Sequence, residues 1–219
     1  MRKALEAMET HTLSERVAER LRASIVSRTL RPGDVLVERA VAQELGVSQT
    51  AVREALLRLE KDGLVQRQRN KQTRVTILTP KEEEDAYGVR IPLETMAFTE
   101  AQKFLAPEIV QKASDLIAGM EEAAQQHDRA ATETHDLEFH RLFWKLSGNE
   151  TLLKLLEITC VPLFAFSAIE RNWPTYLVDN PAFHIELLEA IQRGSEEEIR
   201  TAVRQHFRNV WDAVSASQV

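Results

Sequence analysis

The sequence has a single cysteine, Cys160, in 219 residues. A disulfide within the chain is excluded, and a reducing compartment is favoured. Glycine and proline number only 7 each, too few for long disordered linkers. No apolar run approaches the roughly 20 residues that cross a bilayer. The longest, CVPLFAF, covers only 160–166. The opening MRKALEAMETHTLSER is charged throughout and has no apolar segment of a secretion signal. HExxH, a glycine-rich phosphate loop and a nucleophile–base pair are all missing from the sequence. The expectation is a cytoplasmic soluble protein with no membrane partner.

Charge is unevenly placed. Residues 1–79 hold 15 basic and 10 acidic side chains, a net of +5, whereas 80–219 hold 13 and 24, a net of −11. An acidic chain thus carries a basic N-terminal third, which hints at a polyanion partner for that part.

Helical periodicity begins with Leu13, Val17, Leu21 and Ile25, predicting a helix over 13–27 with those four on its inner face. The turn RPGD (31–34) ends it. A short helix is predicted over 38–45. Gly46 then serves as a left-handed cap, and Ser48 caps a third helix over 49–62. Val52, Ala55, Leu56 and Leu59 of that helix point inward, and Gly63 ends it. Two helices joined by so short a turn make a helix-turn-helix. The segments LVQRQ and QTRVTIL around RNK then read as a two-stranded hairpin, the wing.

Thr79-Pro80-Lys81-Glu82 is a helix start with cap, first-turn proline and capping-box acid. Only helical signals follow, over about 80–104, 107–126, 129–147, 150–171, 180–193 and 195–215. Asn180-Pro181 marks the start of the fifth of these, and Trp144, Phe164, Phe166, Trp173 and Tyr176 read as core. The predicted fold is mainly α. A winged helix-turn-helix occupies 1–79, and an antiparallel all-α bundle occupies 80–219.

A helix-turn-helix sets the start of its second helix against base edges in the major groove. Here that start is Ser48, Gln49, Thr50 and Arg53. Glutamine pairs with adenine and arginine with guanine, while small hydroxyls reach bases or phosphates without blocking the groove. Arg39 opens the preceding helix. Arg67, Arg69, Lys71 and Arg74 arm the wing for phosphate or an adjacent groove. The predicted partner is double-stranded DNA.

The stretch LRPGDVLVERAVAQELGVSQTAVREALLRLEKDGLV resembles the GntR family of bacterial transcription regulators along nearly its whole length. It departs from the family pattern at Gln49, where arginine is usual, at Ala51, where proline is usual, and mildly at Asp62. Its wing has Gln72-Thr73 where a glycine is usual. Arg39 and Arg53 match positions that contact DNA in the family.

In the acidic part, Asp136 and His140 are four apart in DLEFH and so share a helix face. His184 and His206 flank the break at Gly194 at similar distances, so a helical hairpin brings them to one height. Three imidazoles and a carboxylate in a bundle suit a divalent transition metal, and three unrelated histidines are the alternative from spacing alone. His11 and His127 lie in polar surroundings, and His135 points away from Asp136.

Residues 80–219 are similar to the FCD ligand-binding domain of FadR-type GntR regulators, through VRIPLETMAFTEAQ, DLEFHRLFWKLSGNETL and FHIELLEAIQRGSEEEIRTAVRQHF. The resemblance implies a metal held by Asp136, His140, His184 and His206, with zinc, nickel and manganese as candidates. It implies an effector-facing arginine at Arg90, beside a helix-kinking Pro92. A metal and an arginine together suit a small organic acid. The implied protein is a homodimeric regulator, more often a repressor, whose operator affinity responds to that effector. The competing readings are a metal-dependent hydrolase or lyase with a DNA-binding appendage, and an architectural DNA-binding protein without a ligand.

Overall fold

A computed structural model describes residues 12–67, 72–166 and 173–215. The wing-tip residues Arg69 and Lys71, and His11, lie outside the described residues. So do the side chains of Trp173 and Tyr176.

α1 (Leu13–Val26) is opened by a capping box between Thr12 and Glu15. β1 (Val35–Leu36), α2 (Glu38–Leu45), α3 (Gln49–Lys61), β2 (Val65–Arg67) and β3 (Thr73–Val75) follow. Val17, Leu21 and Ile25 of α1 meet Val52, Ala55, Leu56 and Leu59 of α3 in one core. Leu13, expected to join them, is 47% exposed, because the first helical residue projects beyond the end of that core. Gly46 adopts φ 65°, the left-handed cap its position calls for. The Ser48 hydroxyl accepts from the Ala51 N–H at 3.2 Å.

The wing is larger than the predicted hairpin. β1 pairs antiparallel with β3 (Val35↔Arg74, Leu36↔Thr73), giving a three-stranded sheet in the order β1-β3-β2. Two residues carry no periodicity of their own, which is why β1 was not predicted. Its pairing is set by the turn at Gly33, whose N–H donates to the Val75 carbonyl while the Val75 N–H donates to the Asp34 carbonyl.

The helical part comprises α4 (Pro80–Gln102), α5 (Pro107–Gln125), α6 (Arg129–Leu146), α7 (Glu150–Phe166), α8 (Trp173–Arg193) and α9 (Glu196–Ser215). α4 opens with the Thr79–Glu82 capping box and continues as helix through Pro92. Every residue from Cys160 to Phe166 of α7 is buried, as expected of a helix enclosed on all sides. α8 corrects a prediction. It begins at Trp173, and Pro181 lies inside it. A proline forfeits one backbone hydrogen bond in a helix, but this one is buried one turn before buried His184. Packing there overrides the local start signal.

The two parts touch along α1, α6 and α7. Arg28, just past α1, pairs with Glu133 of α6 at 3.4 Å, and both side chains are largely buried. Gly63 (φ 72°) lies so close to Pro162 that an added Cβ would sit 3.1 Å from its ring.

Candidate DNA interface and metal centre

Ser48, Gln49, Thr50 and Arg53 are exposed at the start of α3, and Arg39 is exposed in the first turn of α2. The N-terminus of α3 thus presents small polar groups around the partial positive end of the helix. Arg53 is not a loose side chain. Its Nε lies 3.1 Å from both Glu38 carboxylate oxygens, and its Nη2 lies 2.8 Å from one of them. This fork fixes the guanidinium at the face of α3. Arg67 is exposed on β2. Arg74 is half-buried on β3, with Nη1 donating to the Gly33 carbonyl at 3.0 Å and Nη2 to Gln72 Oε1 at 3.1 Å.

In the helical part, α6 supplies Asp136 and His140, α8 supplies His184 and α9 supplies His206. All four are buried. One ligand nitrogen from each histidine lies within 4.8 Å of the others. Asp136 Oδ1 is 3.0 Å from His184 Nε2 and 3.4 Å from His140 Nε2. The structure therefore brings together the four residues that the sequence singled out.

Burial would push the Asp136 carboxyl up, but His184 and His140 outweigh it and hold the group well below the usual carboxylate range. Burial, helped by His184 and His140, pushes His206 well below the ordinary imidazole value. Its ring is thus neutral near pH 7, and its buried Nδ1 has no hydrogen-bond partner. A buried unpaired nitrogen is costly, and a metal ion would satisfy it. His140 has carboxylates close to both nitrogens, yet neither nitrogen makes a well-directed hydrogen bond. Burial would lower its pKa, but Glu94 and Asp136 prevail and raise it. Convergent nitrogens, one anionic oxygen and an orphaned donor atom fit a divalent transition metal.

Arg90 is buried between two aromatic faces, 4.4 Å from the Phe164 ring centre and 4.3 Å from that of Phe207. Its Nη2 lies 3.3 Å from Glu94 Oε1, and its Nε has no partner. Trp144, Phe164 and Phe166 are core, as predicted. Glu94 was not singled out by the sequence. The available signal was its place one turn after Arg90 on the same face of α4.

Among the described residues no helix is long and apolar enough to cross a membrane. Residues 13–75 match the GntR family of bacterial regulatory proteins, and residues 85–209 match the FCD domain. The gluconate operon transcriptional repressor of Bacillus subtilis is 33% identical over 207 residues, covering 91% of this chain and 84% of its own. The uncharacterized HTH-type transcriptional regulator YdhC of the same organism is 28% identical over 199 residues, covering 86% and 85%. Among solved structures, McbR/YncC of E. coli superposes with a TM-score of 0.81 at 22% identity, covering 95% of this chain and 99% of that one. The two Bacillus relatives are named as a transcriptional repressor and a transcriptional regulator, not as enzymes, so the hydrolase or lyase reading falls. The chain belongs to the GntR family of bacterial regulatory proteins, with an FCD domain after its GntR unit.

Proposed function

We propose that this protein is a cytoplasmic, ligand-responsive transcription repressor that binds double-stranded operator DNA as a homodimer. We take residues 1–79 as the DNA-reading domain and 80–219 as the effector domain. In this reading Gln49 and Arg53 meet base edges, Ser48 and Thr50 meet bases or phosphates, and Arg39, Arg69, Lys71 and Arg74 contact the backbone or an adjacent groove. Two-fold symmetry would match two half-sites. A repressor is favoured because a relative matching along most of the chain is named as one.

Asp136, His140, His184 and His206 would hold a divalent zinc, nickel or manganese ion. Such an ion supplies a Lewis-acidic centre that accepts carboxylate oxygens. The unpartnered Nε of buried Arg90 is the donor left for a second acidic group of a small organic acid. Effector binding then favours one placement of the DNA-reading domain and so changes operator affinity.

The observation that carries the reading is the exposed, capped start of α3 in a chain whose other domain buries three convergent histidines. The test is fluorescence anisotropy on an operator selected from random DNA, with and without zinc and a series of small hydroxy- and dicarboxylic acids. Sequence-selective binding that shifts with one acid class is expected. Selective binding that no metal or acid alters would favour the architectural reading.

A further inference from the structure

Glu94 has no role in the DNA interface, nor among the four residues assigned to the metal. It sits on α4 with 0% of its surface exposed. A buried carboxylate is costly unless donors surround it. Two donate to its Oε1, Trp144 Nε1 at 3.0 Å and Arg90 Nη2 at 3.3 Å, and His140 Nδ1 lies 2.9 Å from the same oxygen. Both fixed donors are themselves held. An indole N–H can only donate, and the Arg90 guanidinium is clamped between Phe164 and Phe207.

We propose that Glu94 is the positioning residue of the metal centre, setting the orientation and tautomer of His140. The proposal rests on the metal reading above. A neutral imidazole has one nitrogen that donates and one that accepts. The Nδ1 contact with Glu94 is the shorter of the two His140–carboxylate contacts, 2.9 Å against 3.4 Å. Asp136 Oδ1 is moreover already engaged by His184 Nε2 at 3.0 Å. The proton therefore belongs on Nδ1, and the Nε2 lone pair is left on the side of Asp136 and its His184 partner. A carboxylate behind a ligating histidine also raises the basicity of the ring. The line of support runs from Phe164 and Phe207 through Arg90 and Glu94 to His140. Three elements, α4, α7 and α9, thereby aim a ligand carried by α6.

Glu94 also neutralises Arg90, so the test must separate the two roles. Zinc affinity is measured by competition with a chromophoric chelator for the native chain, Glu94→Gln, the double variant Glu94→Gln/Arg90→Met, and His184→Ala/His206→Ala. Circular dichroism checks that each folds without metal. Glu94→Gln is expected to weaken zinc binding about 10- to 100-fold, and removing Arg90 as well should not restore it. In the cobalt-substituted protein, the contact-shifted exchangeable proton of the His140 ring should be lost or move.

If Glu94→Gln alone fails to fold, the double variant, with both charges gone, carries the comparison. Affinity within about threefold of native, or native affinity regained in the double variant, would overturn the positioning role. In that case the loss in His184→Ala/His206→Ala would leave the metal centre standing. A native chain that binds no zinc, or binds it equally after loss of the two histidines, overturns both readings.

Discussion

At the scale of single residues, the exposed positions at the start of α3 were legible because the caps fix where that helix begins. Ser48, Gln49, Thr50 and Arg53 follow from the cap signals alone. What could not be read was the Glu38 fork that holds Arg53, since that contact bridges two helices whose crossing the sequence does not specify. A preoriented guanidinium should lose little entropy on meeting a base. Arg53→Ala is expected to weaken selective operator binding by roughly 1–3 kcal/mol, with non-selective binding much less affected. Equal losses on operator and random DNA, read by anisotropy, would reassign Arg53 to the phosphates. Glu94 shows the opposite limit. A glutamate in a helix looks the same whether it faces water or a histidine, and only burial reveals it.

At the scale of elements, boundaries were legible where a cap or glycine marks them. α2 begins and ends where predicted, and α3 ends one residue early. Elements without local marks were not legible. β1 is defined only by a partner nearly forty residues on, and α8 runs through a proline that a local rule reads as a start. Caps also make predictions at this scale. Ser48→Ala removes the acceptor for the Ala51 N–H and should cost about 0.5–2 kcal/mol of stability. An unchanged urea midpoint would mean that the α3 start is held by packing alone. Leu59→Ala, fully buried in the core that α1 and α3 share, should cost about 2–5 kcal/mol, and a loss below this range would show that the core collapses around the gap.

At the scale of the whole molecule, α6 joins the candidate metal residues to the N-terminal part. It carries Glu133, Asp136 and His140 at spacings of three and four residues, and Glu133 meets Arg28 of the DNA-reading part. Arg28 does so in a left-handed conformation, φ 59°, that ordinary residues avoid. None of this junction was legible in the sequence, because it depends on how two domains dock. The histidine cluster was legible, because helical period and hairpin register are local rules that compound. If α6 transmits binding, Arg28→Ala should keep its metal yet lose much of the metal- or acid-induced change in operator affinity. The same change in native and variant proteins would place the coupling elsewhere.

The central claim is that the buried cluster is a metal centre. The most direct test is elemental mass spectrometry of the purified protein beside His184→Ala/His206→Ala. About one divalent transition metal per chain, absent from the variant, is the predicted result. No metal in either protein after supply of zinc, nickel and manganese would contradict it.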